Sequence, residues 1–377
     1  MNYQYRTIEP KLAKYAEEAS LLGLKGPIGS GKTTLLVNLF PSHDYINFDD
    51  PRTLMRYRQD PNRFLRQLNA KVIFDEVQHA PELIGQLIDH NQPDDRYILV
   101  SSCLFTSIRG VDDTQLHKIK MVTLLPYQLI EVPNQLREDS IFRGGFPALI
   151  SNLYANADVQ FTNYIQHNLL KQLPAIGMVS DQHEFQRLLH LLAANTAQPL
   201  NMSYYAQTLS VDVKTIKRWV ELLASSFIVF LVPAYHDDFG KRSLKSPKLY
   251  FYDTGLVSYL TGIETMKQFE FGPLANAIYE NYVVMEILKK TLYEEQPAQF
   301  YYYSTNHGVS VDLIIERDNK REMICICFNE TFRIRMLQPI EAFKQEDDQG
   351  YLIYNGIDIP YRHNIQINNV STYLHSH

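Results

Sequence analysis

The stretch Leu21-Leu-Gly-Leu-Lys-Gly-Pro-Ile-Gly-Ser-Gly-Lys-Thr-Thr-Leu-Leu36 decides how the rest of the chain is read. Leu21 to Lys25 is a short apolar run of the length a buried strand needs. Gly26 to Gly31 is a glycine-rich turn, and Thr33 to Phe40 has helical spacing. Between strand and helix, Gly26-Pro-Ile-Gly-Ser-Gly-Lys32-Thr33 satisfies the G-x-x-x-x-G-K-[ST] pattern in full. Each part has a physical task. Glycines let the backbone turn tightly, so successive N–H groups converge on phosphate oxygens. The helix that follows turns its positive end toward the same anion. Lys32 is placed to reach the β- and γ-phosphates of a nucleotide, and the Thr33 hydroxyl to hold Mg²⁺.

Working outward, Asp44 to Phe48 reads as a strand that stops at Asp49, Asp50 and Pro51, and Arg63 to Asn69 as a helix. Lys71 to Phe74 is a strand closed by Asp75 and Glu76. A buried strand ending in Asp-Glu, one βα unit beyond the loop, is a Walker B arrangement: Asp75 for the metal, Glu76 as general base for the attacking water. Tyr97 to Val100 is a further strand, ending at Ser101, Ser102 and Cys103. Strands alternating with helices predict a parallel α/β sheet, whose carboxyl-terminal edge binds ligands. Ser102 at that edge is a candidate γ-phosphate sensor, weighed equally against an ordinary strand terminus. Arg109 and Lys118 are candidate cations for transition-state charge, though surface roles are the commoner fate of such residues.

After about residue 150 the pattern changes. Residues 159–194 read as mostly helical. Ser203 is a candidate N-cap for a helix Tyr204 to Leu209, and a second helix runs from Asp212 to about Ser225. Phe227 to Val232 reads as a strand, Lys241 to Lys248 as a basic hairpin tip and Leu249 to Tyr252 as the returning strand. That order is the order of a winged helix-turn-helix. On the second helix Val213, Ile216, Val220 and Leu223 form an apolar stripe, opposite Lys214, Lys217 and Arg218. With Lys241, Arg242, Lys245 and Lys248 these make a candidate DNA-phosphate surface. A solvated face on a fold reused for packing is the competing account. Beyond residue 264, a helix Asn276 to Leu292 and strands Phe300 to Tyr303, Val309 to Ile315 and Met323 to Phe328 read as another α/β unit.

The chain resembles the bacterial and archaeal AAA-type ATPases that carry a C-terminal domain of unknown function. The matching pieces include GPIGSGKTTLL (26–36), YINFDDP (45–51), VIFDEVQHAPEL (72–83), RYILVSS (96–102), FRGGFP (142–147), PKLYFYDTGLVSYLTG (247–262), YENYVVMEILKK (279–290) and VSVDLIIE (309–316). The resemblance implies an AAA-like P-loop NTPase parallel sheet over 1–150, a helical and winged-helix domain over 151–262, and a PD-(D/E)XK nuclease-like α/β domain over 263–377. It implies ATP as the nucleotide, with Gly26, Gly29, Gly31, Lys32, Thr33 and Thr34 matching the nucleotide loop and Asp75 and Glu76 the Walker B pair. Beside it, the residues themselves add Pro27 and Ser30 to the loop, make Glu76, Lys32, Ser102 and Arg109 candidate catalytic residues, and put Thr33 and Asp75 on Mg²⁺. Two departures stand out. Where family members often have Gly-Arg before Leu-Leu-Pro, this chain has His117 and Lys118, and lysine lacks the planar fork of arginine. A nuclease site of this kind needs a helix Glu and a strand Asp, matched by Glu280 and Asp312, then a Glu-x-Lys. That last position falls on Cys325-Ile-Cys327, and the Glu before the strand Asp is replaced by Ser310. Thiols supply neither a hard oxygen nor an ammonium, so a nuclease-like shape without nuclease activity is expected.

At 377 residues the chain has room for two or three domains. Its formal net charge is −6, from 36 Lys plus Arg against 42 Asp plus Glu, which excludes a uniformly basic nucleic-acid coat but not a local patch. Three cysteines are too few for a disulfide scaffold, and Cys325 and Cys327 read as small buried hydrophobes. No apolar run nears the ~18 residues that span a bilayer, and the N-terminus lacks a secretory pattern, so a cytoplasmic enzyme with no membrane partner is expected. The leading expectation is Mg²⁺-dependent ATP binding and hydrolysis coupled to domain motion or remodelling of a partner, either a protein or a second copy. The alternative is a nucleotide-gated DNA-binding module, or a scaffold with slow or incidental hydrolysis.

Overall fold

The computed structural model describes residues 3–90, 92–170, 182–235, 245–294, 297–305, 309–318, 320–362 and 364–376. The chain divides into two compact units. The first comprises Met1–Tyr127, Phe146–Ser151 and Ser225–Ile228, and the second holds the rest.

The first unit is built on strands β1 (Leu21–Lys25), β2 (Asp44–Asn47), β3 (Lys71–Asp75), β4 (Arg96–Ser101) and β5 (Lys120–Thr123). They lie in the order β2-β3-β4-β1-β5, and every pairing is parallel. A strand buried on both faces must have an apolar interior, and β1, β3 and β4 do: Leu22, Leu24, Val72, Phe74, Ile98 and Val100 are all inaccessible or nearly so. The expected strands and the parallel sheet are present, and β5 joins them at one edge. One face of the sheet packs Phe74 with Phe48, Tyr57, Phe64 and Tyr97 in an aromatic core. Because all five strands run the same way, the turn after β1 and the ends of β3 and β4 gather at one edge.

The second unit contains two further sheets. Strands β6 (Gln198–Pro199), β7 (Val229–Val232) and β8 (Lys248–Phe251) form an antiparallel sheet in the order β6-β8-β7. Strands β9 (Gln299–Ser304), β10 (Ser310–Arg317), β11 (Lys320–Cys327), β12 (Gln349–Tyr354), β13 (Ile359–Arg362) and β14 (Ile365–Asn368) form a mixed sheet in the order β13-β14-β12-β11-β10-β9. β9, β10 and β11 pair antiparallel, whereas β11, β12 and β14 pair parallel. The helix Ala275–Tyr293 is buried over most of its length. Its Asn281 behaves as a piece of strand: Nδ2 donates to Phe251 O and Oδ1 accepts Phe251 N–H, both at 2.7 Å. The amide so saturates the backbone of β8 from the side.

Several local expectations are corrected. The helix Met202–Leu209 is capped by Asn201, whose side chain accepts the Tyr204 N–H at 3.0 Å, and not by Ser203. Asn201 precedes the helix and can turn its oxygen onto the third residue's amide; Ser203 already lies inside. On the helix Val213–Ser225 the apolar stripe is Ile216, Trp219, Val220, Leu222 and Leu223, and Val213 is 46% exposed at the first turn. Lys214 and Lys217 are exposed, as expected. Lys248 is not a surface cation: it is 7% exposed and its ammonium lies 2.5 Å from Glu280 Oε1 and 3.4 Å from Asp312 Oδ1. Two carboxylates draw it inward, so it has no charge to offer DNA. The expected contacts Lys241 and Arg242 lie outside the described residues.

Candidate nucleotide site

The turn after β1 enters the helix Lys32–Leu39 through Gly31, whose φ of 92° lies in the left-handed region. A β-carbon is strained there, which explains glycine at the N-cap. Ser30 N–H donates to Pro27 O at 3.2 Å and closes the turn. Lys32 is 5% exposed, and its Nζ donates to the carbonyl oxygens of Gly26 and Pro27, both at 2.9 Å. Burial pulls the Lys32 pKa down, and the nearby Glu76 and Asp75 carboxylates oppose that pull. Ser30 Oγ is buried without a hydrogen-bond partner among the described residues. An orphaned hydroxyl costs about 1–3 kcal/mol and fits a loop shaped for an anion.

Asp75, at the tip of β3, joins the loop directly. Thr33 Oγ1 donates to Asp75 Oδ2 at 2.7 Å. Tyr45 Oη donates to the same oxygen at 2.5 Å. Burial, then the bond to Asp75, pushes the Tyr45 hydroxyl pKa up. The hydroxyl of Thr33 and the carboxylate of Asp75 therefore converge, two hard oxygen donors of the kind Mg²⁺ takes.

Glu76 follows in left-handed backbone, at φ 55° and ψ 47°. For a residue with a β-carbon this costs about 1 kcal/mol or more, and such strain concentrates at functional sites. Its carboxylate is held on both sides: Oε1 accepts the Ser102 hydroxyl at 2.6 Å, and Oε2 accepts the Gln78 amide. Ser102, from the end of β4, is thereby tied to Glu76. Cys103 beside it is kept a neutral thiol, its pKa raised chiefly by burial.

The structure thus brings Lys32, Thr33, Asp75, Glu76 and Ser102 to one sheet edge. Arg109 and Lys118 are exposed, and among the described residues neither takes part in the hydrogen bonds that join those five. Thr34 is exposed in the first turn of the helix. Three participants carried no sequence signal of their own. Tyr45 and Gln78 reach the site only through strand register and a turn. Arg6, 3% exposed, donates to Ser30 O at 2.9 Å from outside the loop motif.

A second polar cluster sits in the second unit. Glu280 Oε1 accepts both Lys248 Nζ, at 2.5 Å, and the Tyr250 hydroxyl, at 2.8 Å. Asp312 Oδ2 accepts the Ile326 N–H at 2.8 Å. The Glu280 carboxyl is pushed up to about 7 by burial and by Asp312, against the pull of Lys248. Sequence spacing found Glu280 and Asp312 but not the lysine, because it arrives from β8 and not from the strand after Asp312. Cys325 is a buried free thiol whose pKa is raised by burial.

The loop, the acidic strand end and the parallel order together fix the character of the first unit. Residues 18–132 match the model of an AAA domain. Residues 134–267 and 275–373 match two domains of unknown function, DUF8612 and DUF4143. An AAA-type P-loop domain, which implies nucleotide binding, is therefore followed by two domains to which no activity is attached. The chain is 24% identical over 321 residues to the uncharacterized proteins Rv2008c of Mycobacterium tuberculosis (strain ATCC 25618 / H37Rv) and Mb2031c of Mycobacterium bovis (strain ATCC BAA-935 / AF2122/97), covering 84% of this chain and 72% of theirs. Among solved structures it is similar to the Walker-type ATPase PABY2304 of Pyrococcus abyssi, at 14% identity and a TM-score of 0.45, over 67% of this chain and 94% of that one. Protein VC1899 of Vibrio cholerae is also similar, at 12% identity and a TM-score of 0.22, over 95% of this chain and 97% of that one. Among the described residues no helix is long and apolar enough to cross a membrane.

Proposed function

We propose that the protein binds ATP with Mg²⁺ and hydrolyses it, and that turnover drives domain motion or remodelling of a partner. The observation that carries this reading is the convergence of Thr33 on Asp75 at 2.7 Å with Glu76 oriented beside them. Thr33 and Asp75 would hold Mg²⁺, which supplies charge neutralisation at the β- and γ-phosphates. Lys32 exchanges its two loop carbonyls for phosphate oxygens, a stronger charge-assisted contact. Glu76 orients the attacking water and accepts its proton, while Ser102 and Gln78 fix the carboxylate's plane. Arg109 is retained only as a cation that would have to be brought to the phosphates by movement.

The division into 1–150, 151–262 and 263–377 is part of this proposal. It is supported by the order of the three matched regions. Helices Met202–Leu209 and Val213–Ser225 with the sheet β6-β8-β7 support a winged helix-turn-helix. Helix Ala275–Tyr293 on the mixed sheet, with Glu280 and Asp312, supports a nuclease-like domain without activity, its carboxylates neutralised from within. A nucleotide-gated DNA-binding module is the second reading, favoured by Lys214 and Lys217 exposed on one helix. Phosphate release measured with ATP and Mg²⁺, with and without duplex DNA, tests both. Turnover that DNA does not change supports the first reading, DNA stimulation that fades steeply with salt supports the second, and no turnover under either condition overturns the ATPase.

A further inference from the structure

Arg6 precedes the matched AAA region and stands twenty residues before the glycine-rich loop, yet it is 3% exposed and in contact with that loop. The chain leading to it is anchored on both sides. Glu9 Oε1 accepts the Arg6 N–H at 2.6 Å and the Tyr3 hydroxyl at 2.7 Å, and Ile8 and Leu12 are fully buried just beyond. From this fixed base the guanidinium makes a fork. Nη1 donates to Ser30 O at 2.9 Å and Nη2 to Leu125 O at 2.7 Å. The plane lies over the Tyr127 ring, 4.7 Å from its centroid. Arginine suits this place because its two amino groups are rigidly spaced and meet two carbonyls at once.

The contact falls on the peptide that leads into the helix Lys32–Leu39. Ser30 and Gly31 share a planar trans peptide, in which C=O and N–H point in opposite directions. A donor that holds Ser30 O on its own side therefore turns the Gly31 N–H to the other side. Gly31 is at φ 92°, where glycine has no steric preference to keep the plane in place, and the Ser30 side-chain oxygen makes no compensating bond among the described residues. A β-carbon on Gly31 would lie at ordinary contact distance from Arg6 Nη1, 3.8 Å, and Pro147 Cγ, 3.6 Å, so the Arg6 side of this residue is lined by protein.

We propose that Arg6 is a positioning residue of the nucleotide site: its guanidinium fixes the Ser30–Gly31 peptide so that the Gly31 N–H faces the bound phosphates. This rests on the P-loop reading, and it adds that the segment before the AAA region is part of the nucleotide site. Without the charged donor that orients the loop, nucleotide affinity falls by roughly ten- to a hundredfold, the equivalent of about 1.5–3 kcal/mol for such a hydrogen bond.

The experiment is titration of a fluorescent ATP analogue with Mg²⁺ into wild type, R6Q, R6K and R6A, with thermal unfolding recorded for each. The expected result is strong loss of affinity in R6Q, partial retention in R6K, and recovery of R6A affinity on adding low concentrations of guanidinium ion. Recovery of affinity by a free ion, while the melting temperature of R6A stays as it was, is a readout that a purely structural staple does not give. Should R6Q fail to fold, R6K decides: weakened binding at an unchanged melting temperature supports the proposal, and wild-type affinity overturns it. Folded R6Q with wild-type affinity overturns this proposal alone, whereas a wild type that takes up no nucleotide overturns the P-loop reading and this one with it.

Discussion

The Lys248 ammonium lies 2.5 Å from Glu280 Oε1 and 3.4 Å from Asp312 Oδ1, in a setting where all three side chains are at most 16% exposed. A lysine stands between the carboxylates where a nuclease of the expected shape has a metal ion. Tyr250 and the Ile326 amide satisfy further lone pairs, so the cluster closes on itself. Its charge balance makes stability depend on pH. Burial and Asp312 raise the Glu280 pKa from 4.5 to about 7, and burial raises that of Asp253 from 3.8 to about 6. A raised acid favours the protonated folded state. The stability these two groups contribute is complete below 3.8, and is lost as pH rises through about 6 and about 7. In K248M the opposing ammonium is gone and the Glu280 pKa climbs further. Unfolding free energies of wild type and K248M from urea titrations should therefore lie close together below pH 4.5 and separate as pH passes 7, by about 3–5 kcal/mol at the upper end. A gap of constant size across that range contradicts the ion pair.

The same cluster predicts no phosphodiester cutting. Supercoiled plasmid incubated with Mg²⁺ or Mn²⁺ should stay intact, because the carboxylates already hold a permanent cation and the Glu-x-Lys position carries Cys325 and Cys327. Metal-dependent nicking that disappears in D312A would falsify the inactive-nuclease reading.

How far sequence carries the reading depends on whether a residue's partners are local. The loop from Gly26 to Thr33, the strand end Asp75-Glu76 and the terminus at Ser102 are legible because their chemistry is set by neighbours in sequence and by the rule that parallel strands share an edge. Lys248 misleads for the converse reason. A lysine beside a basic hairpin looks like a surface charge, and only folding places Glu280 and Asp312 against it. Val213 belongs to a plausible helical stripe, but a first-turn residue can point away from the core. Strand β5 contributes only Met121 and Val122 as apolar residues of its four, too short a run to advertise it, and Arg6 and Gln78 act through side-chain contacts to residues that no spacing rule pairs with them.

For the nucleotide site, K32A should abolish binding of ATP, with affinity lowered by a hundredfold or more, since a buried cation of the loop is removed. E76Q should bind ATP like wild type and lose at least about a hundredfold in turnover, the usual weight of a general base. Calorimetric titration and phosphate release separate the two effects. Normal turnover by E76Q would remove Glu76 from the mechanism. S102A should fall between, with binding intact and turnover reduced by less than in E76Q, because it loosens the carboxylate that Ser102 Oγ holds at 2.6 Å.

Gly144 sits at φ 80° with Asp253 pressed against it: a β-carbon there would lie 2.0 Å from Asp253 Oδ1. The same carboxylate accepts the Gly145 and Gly255 N–H groups, at 2.8 and 2.9 Å, and caps the helix Thr254–Thr261. G144A meets both the backbone strain and the clash, and should cost about 3 kcal/mol or more in chemical denaturation. D253N keeps the shape but makes the group neutral at every pH. It should erase the share of pH dependence that runs from 3.8 to about 6 while leaving the Glu280 share in place. Wild-type pH dependence in D253N would show that this carboxyl does not titrate in the folded protein.

Any DNA affinity should reside in the helix Val213–Ser225 and not in Lys248. Lys214 and Lys217 are exposed there, and Lys217 pairs with the exposed Glu221 at 3.8 Å. An exposed pair of this kind is worth little and yields readily to a phosphate. Removing one lysine–phosphate pairing lowers the slope of log affinity against log salt by about 0.9. Fluorescence anisotropy on labelled duplex, from low to physiological salt, measures the slope of any wild-type binding. K214E/K217E should weaken it and flatten the slope by nearly two, whatever the sequence of the duplex. K248M should leave the slope unchanged, because the wild-type ammonium is committed to Glu280 and Asp312. Binding that K214E/K217E retains with the wild-type slope would move the interface off this helix.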